Sequence, residues 1–365
     1  MKILFILEHY YPHIGGVETL FKNLTESLSE LGHEITVLTN KHDKSLPKEE
    51  KRGNISIKRL SLNNRYLFTF FSVFTAVKLA RDHELIHTTS YNAAVPAYVA
   101  SKLTGTKAII TFHEVWGRLW FKLPWLSRPT RILNYCFEQM ILKMNFLKFI
   151  AVSHFTQNAL LEQGVNPNSV VKIYNGIDYS EYINKMSEDK KKSKTFIYFG
   201  RVGVSKGIDI ILQAVEALLK ERSDFKVKLI LPQKSDRLTK KVIHYISNQQ
   251  LSEHVLIENS VPFDVLKETV SNALAVIIPS YSEGFCFAAV ETMAIGTPII
   301  SSGRGALSEV VGGKHLEFQE MKGGALKEKM KEALNGKWDH LPLQKFELRD
   351  SVNKYLTLYD HLLTK

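Results

Sequence analysis

Two carboxylates and two cations carry most of the chemistry available to this chain. Glu283 and Glu291 lie eight residues apart in Ser280-Tyr-Ser-Glu-Gly-Phe-Cys-Phe-Ala-Ala-Val-Glu-Thr-Met-Ala-Ile-Gly-Thr-Pro298. An apolar run, Ala275–Pro279, precedes them, and a helical pattern from about Phe287 stops before Gly296. Glu283 is thus expected in a loop and Glu291 about one turn inside a helix. The first backbone N–H groups of a helix lack internal partners and sit at the positive end of its dipole, so a strand leading into a helix start suits an anion. Carboxylates on either side of that start could bracket a ligand whose phosphates rest on it; two solvated acids on a surface helix are the plain alternative. Arg201 and Lys206 flank Gly203 just after another apolar run, Thr195–Gly200. They could neutralise a diphosphate, Arg through its fork and Lys as a point charge, or form a solvated pair. His113 closes the run Ala108–Phe112, where a histidine is either structural or near reacting atoms.

Other chemistries find no support. There is no Cys-x-x-Cys, and the two cysteines, Cys136 and Cys286, cannot build a cysteine-rich zinc site. Their separation reads as two thiols in a reducing compartment. The Walker lysine loop and Gly-x-Gly-x-x-Gly are both missing. Gly15-Gly16 opens a helical pattern and either relieves crowding there or lets a ligand approach the backbone.

The elements that must position these residues alternate. The chain has 365 residues, 44% apolar and 23% charged, which fits two globular domains and excludes a disordered, collagenous or disulfide-built chain. Strands are expected at Lys2–Leu7, Glu34–Thr39, Ile55–Leu60, Leu85–Thr88, Ala108–Phe112, Phe149–Val152 and Val171–Tyr174, with helical patterns such as Gly16–Leu31 between most of them. The alternation restarts at Thr195–Gly200, Val227–Leu231, Val255–Ile257, Ala275–Pro279 and Pro298–Ser301. This is an α/β pattern with two parallel sheets. The boundary is expected near Asn175–Asp189, and the lysine-rich Ser187–Lys194 reads as a solvated linker. Leu348, Val352, Tyr355, Leu356, Tyr359 and Leu363 share one face of a terminal helix.

The first apolar run ends at Glu8, too short for a signal peptide, and the longest, Leu67–Val77, is about half the roughly 20 residues a membrane span needs. The net charge of +11 favours anionic partners. Residues 1–177 hold 21 Lys plus Arg against 13 Asp plus Glu; the remainder holds 27 against 24. Trp116–Lys148 and Asn64–Arg81 mix aromatics with cations. They read as core rings beneath a solvated basic face, as a membrane-surface patch carrying Arg65, Arg118, Lys122, Arg128 and Arg131, or as a surface for single-stranded nucleic acid.

Ser-Glu-Gly-Phe within Glu283-x7-Glu291 resembles the signature of the retaining, nucleotide-sugar-dependent glycosyltransferases of family 4 (glycosyl transferase group 1), which have the GT-B fold. Ile14-Gly-Gly-Val-Glu18, Thr111-Phe-His-Glu114, Tyr174-Asn-Gly-Ile-Asp178 and Phe199-Gly-Arg-Val-Gly-Val-Ser-Lys-Gly207 follow the family's order. The resemblance implies two Rossmann-like domains facing a central cleft. Residues 1–177, with the C-terminal helix 348–365 crossing back to them, would bind the acceptor, and residues 178–347 the donor. It further implies a UDP- or GDP-sugar as substrate, a glycan or lipid-linked acceptor, and no metal, other cofactor or nucleic acid. Arg201 and Lys206 then match the diphosphate clamp, Glu283 the group that orients and stabilises the donor sugar, Glu291 the ribose partner, and His113 a contact to the sugar hydroxyls. Gly15 and Gly16 match the loop that admits diphosphate or acceptor. Backbone N–H groups of Phe285, Cys286 and Phe287 would meet sugar hydroxyls or phosphate, with Val261 beside the base. Glu114 departs from the family's frequent Asp, and residues 312–338 lack its short apolar motif. The implied setting is cytoplasmic, on the inner face of the membrane, in cell-envelope polysaccharide synthesis. A non-catalytic carbohydrate- or lipid-binding module and a GT-B epimerase or phosphorylase are the alternatives; the Glu-x7-Glu context argues against the latter pair.

Overall fold

The computed structural model describes residues 1–13, 15–62, 64–182, 193–232 and 237–364. They divide into two compact units: residues 1–122, 127–176 and 346–365, and residues 123–126 with 177–345. The greater part of the expected linker, Ser187–Lys194, lies outside the described residues.

The first unit runs β1 (Lys2–Ile6), α1 (Gly16–Glu30), β2 (Glu34–Asn40), β3 (Glu49–Arg52), β4 (Ile55–Leu60), α2 (Arg65–Ala80), β5 (Leu85–Thr89), α3 (Ala94–Thr104), β6 (Lys107–Phe112), α4 (Arg128–Leu142), β7 (Lys148–Ala151), α5 (His154–Glu162) and β8 (Val170–Lys172). Its sheet has the order β3-β4-β2-β1-β5-β6-β7-β8. The strand order reverses between β1 and β5, and the loops beyond their C-terminal ends form the crevice in which open α/β sheets take ligands.

The second unit runs β9 (Thr195–Phe199), α6 (Ile208–Leu219), β10 (Lys226–Leu231), α7 (Arg237–Asn248), β11 (Val255–Asn259), α8 (Phe263–Ser271), β12 (Ala275–Ile278), α9 (Phe287–Ile295), β13 (Ile299–Ser301), α10 (Leu307–Val310), β14 (Gly313–Glu317), α11 (Gly323–Leu334) and β15 (Asp339–Leu341). Its sheet order is β11-β10-β9-β12-β13-β14-β15, with the reversal between β9 and β12. The loops after these two strands carry Arg201, Lys206 and Glu283.

Fully parallel sheets need correction at two edges. β3 pairs antiparallel with β4, and β15 with β14. Neither edge strand has an apolar rhythm to announce it: β3 is Glu-Glu-Lys-Arg, and β15 is exposed throughout. β3 is held by charge instead, with the Arg59 guanidinium of β4, nearly fully buried, 2.8 Å from Glu50.

The sheets bury near-continuous apolar runs, as strands covered on both faces must. Ile3, Leu4, Phe5 and Ile6 are fully buried, and Phe196, Leu229, Ile277 and Ile300 join the second core. The terminal helix α12 (Leu348–Leu363) belongs to the first unit, as the spacing of its apolar residues predicts. Its Tyr355 and Tyr359 are fully buried. The Tyr359 hydroxyl lies 2.6 Å from His87 Nδ1 on β5, and the Thr111 hydroxyl lies 2.7 Å from His87 Nε2.

Burial lowers the His87 pKa from its ordinary 6.5 to about 3, so the ring is neutral in the folded chain. The unfolded chain takes up this proton first, so folding stability falls as pH drops from about 6.5 towards about 3. Tyr359→Phe, which leaves a buried ring nitrogen without its hydroxyl, is expected to cost about 1–3 kcal/mol. Urea unfolding of wild type and variant across that pH range measures both effects.

Candidate active site

Three loops of the second unit converge on Glu283. The loop after β12 carries Glu283 itself, nearly fully buried. Its carboxylate accepts the Ser280 hydroxyl at 2.6 Å and the Lys206 ammonium at 2.8 and 2.9 Å. The loop after β9 brings Lys206 there because Gly207, at φ +68°, lies against the Pro279 carbonyl; a Cβ would stand 1.9 Å from that oxygen. The third loop docks through backbone: Ala306 N–H donates to the Glu283 carbonyl at 2.7 Å, and Gly305, at φ +66°, leaves no room for a Cβ beside it. Both glycines combine a left-handed backbone with a close approach that only glycine meets.

Arg201 is exposed at the mouth of the same loop, its carbonyl held by the Tyr198 hydroxyl at 2.8 Å. α9 follows Glu283 after Gly284, Phe285 and Cys286. Cys286 caps it with φ 74° and ψ 81°, a left-handed conformation rare for a side chain of its kind and a common mark of functional backbone. Burial pushes its thiol well above the usual range, so its sulfur remains a neutral thiol and the backbone is what it offers. The buried hydroxyl of Ser282 has no protein partner in this loop, a polar group positioned for something else to satisfy.

Glu291 sits on α9. Removal from water raises its carboxyl to about 7, and a hydrogen bond with Tyr182 opposes part of that rise. The second unit thus brings together Arg201, Lys206, Glu283, Phe285, Cys286, Phe287 and Glu291. Val261 lies between β11 and α8. Tyr182, Ser280 and Ser282 were not singled out by the sequence; Tyr182 is far from Glu291 along the chain, and no spacing joins them.

In the first unit, Gly15 and Gly16 start α1, and His113 follows β6 with its ring 6.1 Å from that of Phe21 on α1. Glu8, at the end of β1, is enclosed. Burial favours its neutral form, but hydrogen bonds from His9 and Asn92 and the charge of Arg65 outweigh this and bring its pKa to about 2. Arg65 therefore spends its charge partly on Glu8, at 3.2 Å.

Part of the basic, aromatic stretch 116–148 is organised around a buried acid. Its one acid, Glu138, is fully buried and accepts from the backbone N–H of Trp116 at 3.0 Å and of Gly117 at 2.6 Å, from Trp120 Nε1 at 3.3 Å and from the Tyr91 hydroxyl at 3.0 Å. Trp120 and Phe146 are core residues, whereas Phe121 and Trp125 are exposed. Of the cations, Arg131 donates to the Phe121 carbonyl at 2.9 Å, whereas Arg118, Lys122 and Arg128 are exposed. Trp116, Arg118, Tyr135, Phe155, Asn158 and Glu162 line a groove of about 680 Å³ beginning just beyond His113.

Among the described residues no cluster could hold a metal ion, and no helix is long and apolar enough to cross a membrane.

Comparison with known proteins agrees with this geometry. Residues 14–181 match Glycosyltransferase Family 4, and residues 179–356 match Glycosyl transferases group 1. An uncharacterised glycosyltransferase of Methanocaldococcus jannaschii is 26% identical over 92% of this chain and 89% of its own. The gpi3 subunit of the phosphatidylinositol N-acetylglucosaminyltransferase of Schizosaccharomyces pombe is 21% identical over 92% of this chain and 73% of its own. Among solved structures, Anabaena HepE in complex with UDP-glucose has a TM-score of 0.77 at 17% identity, covering 99% of this chain and 100% of its own.

The pKa of Glu291 yields a test that needs no substrate. Its folded value of about 7 exceeds the ordinary 4.5, so the folded chain holds this proton more tightly than the unfolded one. Stability is lost as pH rises through that interval. Glu291→Gln is expected to stabilise the ligand-free protein by about 1–2 kcal/mol above neutral pH, with little effect near the lower end of the interval. Urea titrations at the two ends check this.

Proposed function

Because this chain belongs to the family 4 glycosyltransferases, with the two-unit GT-B fold, we propose that it moves a sugar from a nucleotide diphosphate sugar to an acceptor with retention at the anomeric carbon. The observation that carries the reading is the Arg201, Lys206 and Glu283 group at the strand-order reversal, next to the start of α9. That site offers cations and the backbone N–H groups of a helix start to a diphosphate and a carboxylate to the sugar attached to it. HepE's complex with UDP-glucose supports a donor of the UDP-sugar type.

In this reading Arg201 and Lys206 hold the diphosphate. Negative charge grows there as the glycosidic bond breaks, so fixed cations favour the transition state over the ground state. The anomeric carbon loses its bond to the phosphate oxygen and gains one to the acceptor oxygen on the same face, and the departing phosphate takes the acceptor's proton. Glu283 orients the sugar and stabilises its developing positive charge. Glu291 holds the ribose, with Val261 beside the base. Backbone N–H groups of Phe285, Cys286 and Phe287 meet hydroxyls or phosphate, and His113 contacts the sugar hydroxyls. The cations supply the charge that a divalent metal would otherwise provide, so none is required.

The first unit takes the acceptor, a glycan or lipid-linked saccharide. Its groove lined by Trp116, Arg118 and Glu162 combines aromatic faces with amide, carboxylate and guanidinium groups, a mixture suited to sugar rings and their hydroxyls. Gly15 and Gly16, at the start of α1, admit diphosphate or acceptor. Arg65, Arg118, Lys122, Arg128 and Arg131 add attraction for an anionic membrane surface, placing the enzyme on the inner face of the cytoplasmic membrane.

Arg201→Ala removes an exposed side chain, so it should leave folding intact and lower kcat/KM by the equivalent of about 1.5–3 kcal/mol. Glu283→Gln should lower kcat more than it raises KM. Steady-state kinetics on a panel of UDP- and GDP-sugars, run in EDTA, checks these and the metal independence together. Unchanged kinetics in both variants would remove the site assignment, and donor binding without turnover or hydrolysis would favour a binding module.

The stereochemistry is read separately. Proton NMR of the first-formed product is expected to show the donor's anomeric configuration. An inverted product would overturn the same-face route.

A further inference from the structure

Helix α2 exposes four of its five aromatic residues. Tyr66, Phe70, Phe71 and Phe74 are 53, 68, 56 and 78% exposed. At 100° per residue they fall on one side of the helix, with Phe74 near its centre. The opposite side, Phe68, Ser72, Ala76 and Ala80, is fully buried in the first unit's core, so the helix is seated firmly. The exposed rings contribute nothing to that seating, and polar residues in their places would fold equally well. Single exposed apolar side chains are ordinary; four aromatics on one helical face form a contiguous patch, and such patches mark contact surfaces.

The patch extends beyond α2. Helices α2, α3 and α4 cover the same face of the sheet, since Ala76, Ala97, Ala100, Ile141 and Leu142 share one core cluster. The ends of α2 and α3 are tied where the Thr106 hydroxyl donates to the Ala80 carbonyl at 2.8 Å. On this outer layer Leu103 of α3 and Ile132 and Leu133 of α4 are each more than half exposed.

Charge identifies what covers it. From Arg65 to Arg81 there is no carboxylate, the first being Asp82, and Lys78 and Arg81 are exposed at the end of the aromatic face. α4 carries one acid, Glu138, which is fully buried, while Arg128 and Lys143 at its ends are exposed. A face of aromatics and aliphatics edged with cations and free of outward carboxylates complements an anionic lipid surface, with the rings entering the headgroup layer and the cations meeting phosphates. Two copies of the chain meeting through this face would set cation against cation.

We propose that the outer layer of α2, α3 and α4 is the membrane-contacting surface, with Phe70, Phe71 and Phe74 of α2 as the groups that enter an anionic bilayer. This rests on the reading of a membrane-borne acceptor and centres the contact on α2, with the start of α4 at its edge.

The test is flotation with vesicles of phosphatidylglycerol and phosphatidylcholine. The triple variant Phe70→Ser, Phe71→Ser, Phe74→Ser should bind at least about tenfold more weakly at any salt concentration, with thermal unfolding no worse than wild type. Lys78→Glu with Arg81→Glu should weaken binding at low salt and match wild type at high salt. Donor hydrolysis in vesicle-free buffer should be the same in all three proteins. Its absence from all three would fail the glycosyltransferase reading and leave the flotation result standing. A triple variant that floats like wild type would overturn the proposal. So would a wild-type dimer in sedimentation velocity that the triple variant dissolves while neither protein binds vesicles, which would make the face a self-association surface.

Discussion

A carboxylate removed from water is costly unless cations and hydrogen bonds replace the water it loses. The arrangement of the second unit's site follows from how Glu283 meets that requirement. Ser280 and Lys206 satisfy its oxygens, and the Gly303–Ala306 loop satisfies its backbone carbonyl. Each partner comes from a different stretch of chain, so one buried charge holds three loops in register. Gly207 and Gly305 make this geometry possible, because any side chain there would push the loops apart. The ammonium that neutralises Glu283 is also a group suited to a ligand's phosphates. In the ligand-free protein it therefore keeps a place that a diphosphate could share.

The first unit uses the same principle around Glu138. A fully buried carboxylate gathers donors from the loop that follows His113 and from Tyr91 beyond β5. The aromatic segment thereby becomes a folded wall with Trp116 and Trp120 in contact, their ring centroids 4.4 Å apart. Glu8, with Arg65 and Asn92, binds the end of β1 to the starts of α2 and of the segment after β5. Both loops flanking the strand-order reversal in this unit are thus fixed by buried acids. A rigid setting of this kind limits how far groups must reorganise when a substrate arrives.

The two carboxylates of the Glu-x7-Glu segment have opposite environments. Glu283 has a cation within contact distance, whereas Glu291 has a phenol and little water, and its pKa rises accordingly. Spacing along the chain places both near one helix start but says nothing of this difference, because the partners, Lys206 and Tyr182, are remote in sequence. The divergence suits one acid to electrostatic work on a developing charge and the other to hydrogen bonding with hydroxyls.

Residue order alone determined the alternation of buried strands and amphipathic helices, the helix from Phe287 to before Gly296, the span of the terminal helix and the family's motifs. These are local signals: apolar runs, a 3.6-residue period and glycine stops. Charged edge strands carry no such signal, and β3 and β15 went unseen because pairing and ion contacts form them. Tertiary structure alone decided which groups of a mixed stretch face inward. The Trp120 indole turned towards Glu138, while Phe70, Phe71 and Phe74 of α2 stayed outside, although both segments read alike as aromatic and basic. Composition cannot separate these outcomes, since burial depends on which side of an element meets the sheet. Only the fold supplies Glu138 with its four donors and leaves Phe74 without a covering layer.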